Sequence, residues 1–205
     1  MRCRIQYYLI AIFSLAFIFS CDKEDSKDNE IEGYQQYGTP MVDIPENEEL
    51  VMYEVNLRAF SLDGDLEGVQ NRLDDIAELG VNIIWLMPIQ TNGGSINSPY
   101  AISDYYAVDE EYGSLENLRT FITEAHSRNM LVILDWVANH TAWNHTWMAD
   151  SSWYSQDANG TIIHPAGTNW TDVADLNFEN ENMAKDRKST RLNSSHRCIS
   201  YAVFC

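Results

Sequence analysis

The chain holds 205 residues, with 13 Lys+Arg against 31 Asp+Glu and a formal charge of −18. Nucleic-acid binding needs basic surface that displaces phosphate counterions, so this balance argues against it. Hydrophobic residues make up 45% and aromatics 12%, enough to bury a core, which excludes a chain disordered throughout.

The amino terminus has the order of an export signal. Arg2 and Arg4 precede an uncharged, mostly apolar run from Tyr7 to Phe19, and small Ser20 and Cys21 follow. The run is shorter than the about 20 residues of a membrane-spanning helix. Ile18-Phe19-Ser20-Cys21 resembles a bacterial lipobox. Residues 1–20 are therefore expected to be a signal peptide and Cys21 the lipid-bearing residue. The acidic run from Asp22 to Asp28 resembles the surface-export tether of Bacteroidetes lipoproteins. Residues 21–49 are expected to be a disordered tether to a membrane, with the protein on the outer surface of a bacterial envelope. No Cys lies between Asp22 and Arg197, so the body of the chain has no internal disulfide and no Cys-based metal site.

Strand and helix then alternate. Val51 to Phe60 is rich in β-formers and predicts a strand. Asp63-Gly64-Asp65 predicts a turn and a helix cap. Leu66, Val69, Leu73, Ile76 and Leu79 recur at three- and four-residue steps, one helix face, with Gly80 as its stop. Asn82 to Met87 predicts a buried strand ended by Pro88, and Gln90 to Gly113 a long loop. Ser114 caps a second helix carrying Leu115, Leu118, Phe121, Ile122 and Ala125, and Met130 to Val137 predicts a third buried strand. Such alternation predicts a parallel sheet covered by helices. An open doubly wound sheet and a (β/α)8 barrel both fit this pattern.

From Asp186 onward the acidic character stops, and no apolar period persists. The stretch DRKSTRLNSSHRCISYAVFC resembles the translation of a sequencing-library adapter. Residues 186–205 are thus expected to be a non-native tail outside the fold, with the native chain interrupted near Lys185.

Chemistry in parallel α/β folds gathers at the carboxyl ends of strands. Ser98-Pro99-Tyr100 and Asp104-Tyr105-Tyr106 follow the second strand, Asp135-Trp136-Val137-Ala138-Asn139-His140 closes the third, and Asp175-Leu176-Asn177 lies in the polar segment beyond. A charged Asp in an apolar strand costs several kcal/mol unless paired, so Asp135 calls for a partner.

Together these pieces resemble the α-amylase superfamily of glycoside hydrolases. DWVANH matches that family's D-x-x-x-N-H signature; YEVNLRAFSLDGDLEGV, GVNIIWLMPI, SPYAISDYYAVDEEYG and ADLN resemble further elements of it, in order, from about Val51 to Lys185. The resemblance implies a partial (β/α)8 TIM barrel over 50–140, comprising the first three strands and two helices, and the start of the domain inserted after strand three over 141–185. It implies retaining cleavage of α-glucosidic bonds in starch or malto-oligosaccharides. By resemblance, His140 hydrogen-bonds the sugar at the cleavage subsite, Tyr100 stacks beneath it, and Asp135 orients its neighbours. Asn139 and Asp175 would join a structural calcium site, although calcium takes six to eight oxygens and two residues cannot form the shell.

Each residue also has a plainer reading. Tyr100 could pack its loop, His140 could bond the strand end, Asn139 could cap the turn, and Asp175 could serve without metal. Trp143, Trp147, Trp153 and Trp170 could line a sugar groove or pack a wall. The family's nucleophile, acid and third Asp follow strands four, five and seven, so no catalytic residue is assigned in this chain. The expectation is that the chain as given is inert and does not fold stably alone. Cyclomaltodextrinase, glucosidase or glucan transferase activity, or a glycan-binding lipoprotein without catalysis, are the alternatives. An oxidoreductase is disfavoured because no G-x-G-x-x-G follows the first strand.

Overall fold

The computed structural model describes residues 44–93 and 98–186, and the backbone of Tyr201–Phe204. The described residues all belong to one compact unit. The expected signal peptide, Cys21 and most of the tether lie outside the described residues. Among those described, no helix is long and apolar enough to cross a membrane.

The sheet begins with β1, Met52–Val55, which pairs in parallel with β2, Ile83–Leu86. β2 pairs in parallel with β5, Leu131–Trp136. β8, Tyr201–Phe204, completes the sheet in the order β1-β2-β5-β8. The tail was expected to take no part in the fold; at Tyr201–Phe204 the structure differs. An open strand edge is a row of unpaired N–H and C=O groups, and the short β-forming stretch in the tail pairs with it.

A doubly wound sheet reverses its strand order at a switch point. Here the strands follow chain order, as the staves of a (β/α)8 barrel do. Pleating sends successive side chains to opposite faces. Ile84 and Leu86 of β2, with Val132 and Leu134 of β5, meet the helices in the main core. Ile83, Trp85, Leu131 and Ile133 meet on the other face. By the same alternation Asp135 belongs to that second face, at the carboxyl end of β5.

Between β1 and β2 the chain makes α1 (Leu57–Phe60), α2 (Leu66–Gln70) and α3 (Leu73–Glu78). The strand predicted over Val51 to Phe60 is thus half strand and half helical turn. It stops where pairing with β2 stops, and Leu57 turns inward to join the core. The predicted single helix breaks at Asn71-Arg72, yet Leu66, Val69, Leu73 and Ile76 still share one buried face. Asp65 caps α2, accepting the Gly68 N–H at 2.8 Å. Gly80 ends the run with φ +79°, a left-handed value that costs glycine least.

The loop predicted over Gln90 to Gly113 instead holds an antiparallel hairpin of β3 (Gln90–Asn92) and β4 (Ile102–Val108). Ile102 and Tyr105 of β4 are buried in their own cluster with Val137. α4, Leu115–Ser127, runs as predicted. Ser114 accepts the Asn117 N–H, and the Asn117 side chain accepts the Ser114 N–H in return. After β5, β6 (His140–Ala142) and β7 (Val173–Asp175) form an antiparallel ribbon that brackets the inserted segment.

Candidate functional site

The site is built where β5 ends. Asp135 is 1% exposed. The Tyr100 hydroxyl donates to its Oδ2 at 3.1 Å, the partner that a carboxylate inside an apolar strand requires. The Gln90 amide also approaches the Asp135 carbonyl, at 3.5 Å. Tyr100 therefore ties the hairpin loop to the tip of the central strand.

Tyr100 also holds His140. The His140 Nε2 lies 3.2 Å from the Tyr100 carbonyl. A carbonyl only accepts, so Nε2 carries a hydrogen and donates it. The Asn139 amide nitrogen lies 3.3 Å from Nδ1 and donates to it. Together the two contacts hold the imidazole ring between Asn139 and Tyr100. The turn between β5 and β6 is fastened from below by Tyr105, whose hydroxyl reaches the carbonyls of Val137 at 3.0 Å and His140 at 2.9 Å.

Tyr100, Asn139 and His140 line one cavity of about 790 Å³. Its far wall comes from the inserted segment, including Thr168, Trp170 and Asp172. The Trp170 ring stands edge-on to the His140 ring, with centroids 5.7 Å apart. The Trp143 indole N–H donates to the Thr171 carbonyl at 3.0 Å and pins this wall to the β6–β7 ribbon. Elsewhere in the insertion, the backbone N–H groups of Thr161 and Asn159 hold the Asp157 carboxyl below the usual carboxylate range.

The arrangement gathers some of the expected residues and separates others. Tyr100, Asp135, Asn139 and His140 form one hydrogen-bonded group. Asp175 sits opposite His140 in the ribbon and does not line the cavity. Among the described residues no three His, Cys, Asp or Glu side chains converge as a metal site. Asn139 and Asp175 alone would contribute too few oxygens for a calcium shell; the Asn139 contact to His140 is made by the amide nitrogen, which leaves the side-chain oxygen as the atom a cation would take. Of the four tryptophans singled out, Trp170 lines the cavity, whereas Trp147 and Trp153 pack on each other at 5.3 Å. The sequence placed Tyr105 in a strand-end cluster without a role of its own and did not point to Asp172. Tyr105 was traceable to a strand-like Ile102–Val108 run, but Asp172 sits in a polar stretch that carries no period.

A family model described as "Alpha amylase, catalytic domain" matches residues 17–161. Alpha-amylase 3 of Dictyoglomus thermophilum is 29% identical over 163 residues, covering 67% of this chain and 32% of that protein. Trehalose-6-phosphate hydrolase of Bacillus subtilis is 32% identical over 158 residues, covering 60% and 27%. Among solved structures, an alpha-amylase from Lactobacillus plantarum superposes with a TM-score of 0.72 at 32% identity, covering 77% of this chain and 38% of that one. The chain thus spans about a third or less of the length of these curated relatives.

Proposed function

Since the chain belongs to the alpha-amylase family of glycoside hydrolases, we propose that it forms the sugar-binding rim of a barrel that cleaves α-glucosidic bonds with retention. The observation that carries this reading is the knot of Tyr100, Asp135 and His140, of which Tyr100 and His140 line one cavity. A pyranose has apolar faces and an equatorial belt of hydroxyls, so it needs an aromatic ring and polar donors side by side. Tyr100 supplies the ring. His140 exchanges its bond to the Tyr100 carbonyl for one to a sugar hydroxyl. Asp135 holds the Tyr100 hydroxyl and so fixes the ring's position.

Retaining cleavage needs a carboxylate nucleophile and a carboxylic acid about 5–5.5 Å apart. We assign neither role within this chain and place both on further strand tips of the same rim. Starch and malto-oligosaccharides are the leading substrates; phosphorylated glucosides are the competing class, since one relative is named for trehalose 6-phosphate. The family's calcium would fall at Asn139 and Asp175, and nothing in this mechanism is routed through it.

Incubating the full-length protein, whose further strand tips carry the nucleophile and the acid in this proposal, with maltotetraose and following the anomeric protons by NMR tests it. The expected result is bond cleavage with the α-anomer appearing first. Binding without cleavage would favour the non-catalytic glycan-binding alternative, and neither binding nor cleavage would refute the reading. The proposal also keeps Cys21 as a lipid anchor at the cell surface. Radiolabelled palmitate should enter the wild type and not the Cys21→Ser variant; equal labelling of both contradicts the anchor.

A further inference from the structure

Asp172 is 5% exposed yet makes no hydrogen bond with any described residue. It is not sealed into the core either: it lines the cavity beside His140 and Trp170. Its carboxylate oxygens are not among the described buried side-chain atoms that lack a partner, so they reach solvent and are satisfied by water or a ligand rather than by protein. Here the cavity is the side from which that partner comes. Trp170, about half exposed, presents its ring on the same wall. An indole face next to an acceptor-only carboxylate matches an apolar sugar face next to hydroxyl donors.

The remaining wall bears on the charge of the substrate. No Lys or Arg is among the described residues lining the cavity. Phosphate recognition needs such cations or clustered backbone N–H groups. A carboxylate on the cavity wall acts in the opposite direction and repels a second anion.

We propose that Asp172 is a specificity-determining residue that accepts hydroxyl hydrogens from a neutral glucoside and excludes a phosphorylated one, with Trp170 as the platform beside it. This rests on the sugar-site reading above and narrows its substrate class. The two residues come from the insertion: Trp170 meets the His140 ring edge-on, while Asp172 shares the cavity wall with no hydrogen bond to the Tyr100–Asp135–His140 knot.

The test measures binding of maltotriose and of its 6-phosphate by calorimetry on the intact protein, for wild type, Asp172→Asn and Trp170→Ala. Wild type should prefer the neutral sugar by roughly tenfold or more, in line with hydrogen bonds to charged groups. Asp172→Asn should weaken maltotriose binding by roughly tenfold and largely erase the preference. Trp170→Ala, at an exposed position, should weaken both ligands together and leave their ratio unchanged. A ratio unaltered in a folded Asp172→Asn protein overturns the assignment and leaves the sugar-site reading standing. If Asp172→Asn fails to fold, a Trp170→Ala ratio that shifts, or a wild type that prefers the phosphate, overturns it instead. Wild type that binds neither sugar overturns both readings.

Discussion

Tyr100 is the residue on which the site's geometry turns, because one side chain and its own carbonyl meet both Asp135 and His140. Removing its hydroxyl takes a donor from a carboxylate that is 1% exposed. Tyr100→Phe should therefore cost about 1.5–3 kcal/mol, the usual range for hydrogen bonds to charged groups, read from urea unfolding of the intact protein. A loss within about 0.5 kcal/mol would show that Asp135 is satisfied without Tyr100. His126, far from the site on α4, sets a pH limit. Burial lowers its pKa, and its Nε2 has no hydrogen-bond partner among the described residues. A histidine whose folded pKa is depressed gives full stability above its ordinary value, and that stability declines as pH falls below it. Unfolding midpoints should drop between pH 7.5 and pH 5, and by less in His126→Gln. Equal drops in both proteins would assign the loss to other groups.

The helices and strands divide by how local their signals are. α4 was readable end to end because Ser114, Asn117 and the apolar positions of one turn lie within the helix itself. The face carrying Leu66, Val69, Leu73 and Ile76 was equally plain, but the break at Asn71-Arg72 and the fate of Leu79 were not. Leu79 keeps the period and is nevertheless 68% exposed, since Gly80 turns the chain away before a neighbour can cover it. Leu73→Ala should cost about 2–5 kcal/mol by leaving a cavity, while Leu79→Ala should stay within about 0.5 kcal/mol. Comparable losses by chemical denaturation would mean that the period, not the packing, sets the energy. The β3–β4 hairpin was hidden because its register shifts twice in a few residues, which blurs the alternation a strand normally prints. The site followed the same division. Asp135, Asn139 and His140 stand close together in sequence, whereas Asp172 meets them only through the ribbon pairing of β6 and β7.

Taken together, the strands in chain order, the helices on one face and the acidic tip of β5 on the other make one side of a cup. Its floor is the central strand, and its rim joins the hairpin loop to the insertion through Tyr100, His140 and Trp170. The most direct measurement is calorimetric titration of the intact protein with a non-hydrolysable malto-oligosaccharide analogue, alongside Tyr100→Ala and His140→Ala. Saturable binding by wild type, weakened roughly tenfold or more in each variant, is the predicted result. Equal affinity in all of them would contradict the claim that this rim holds the sugar.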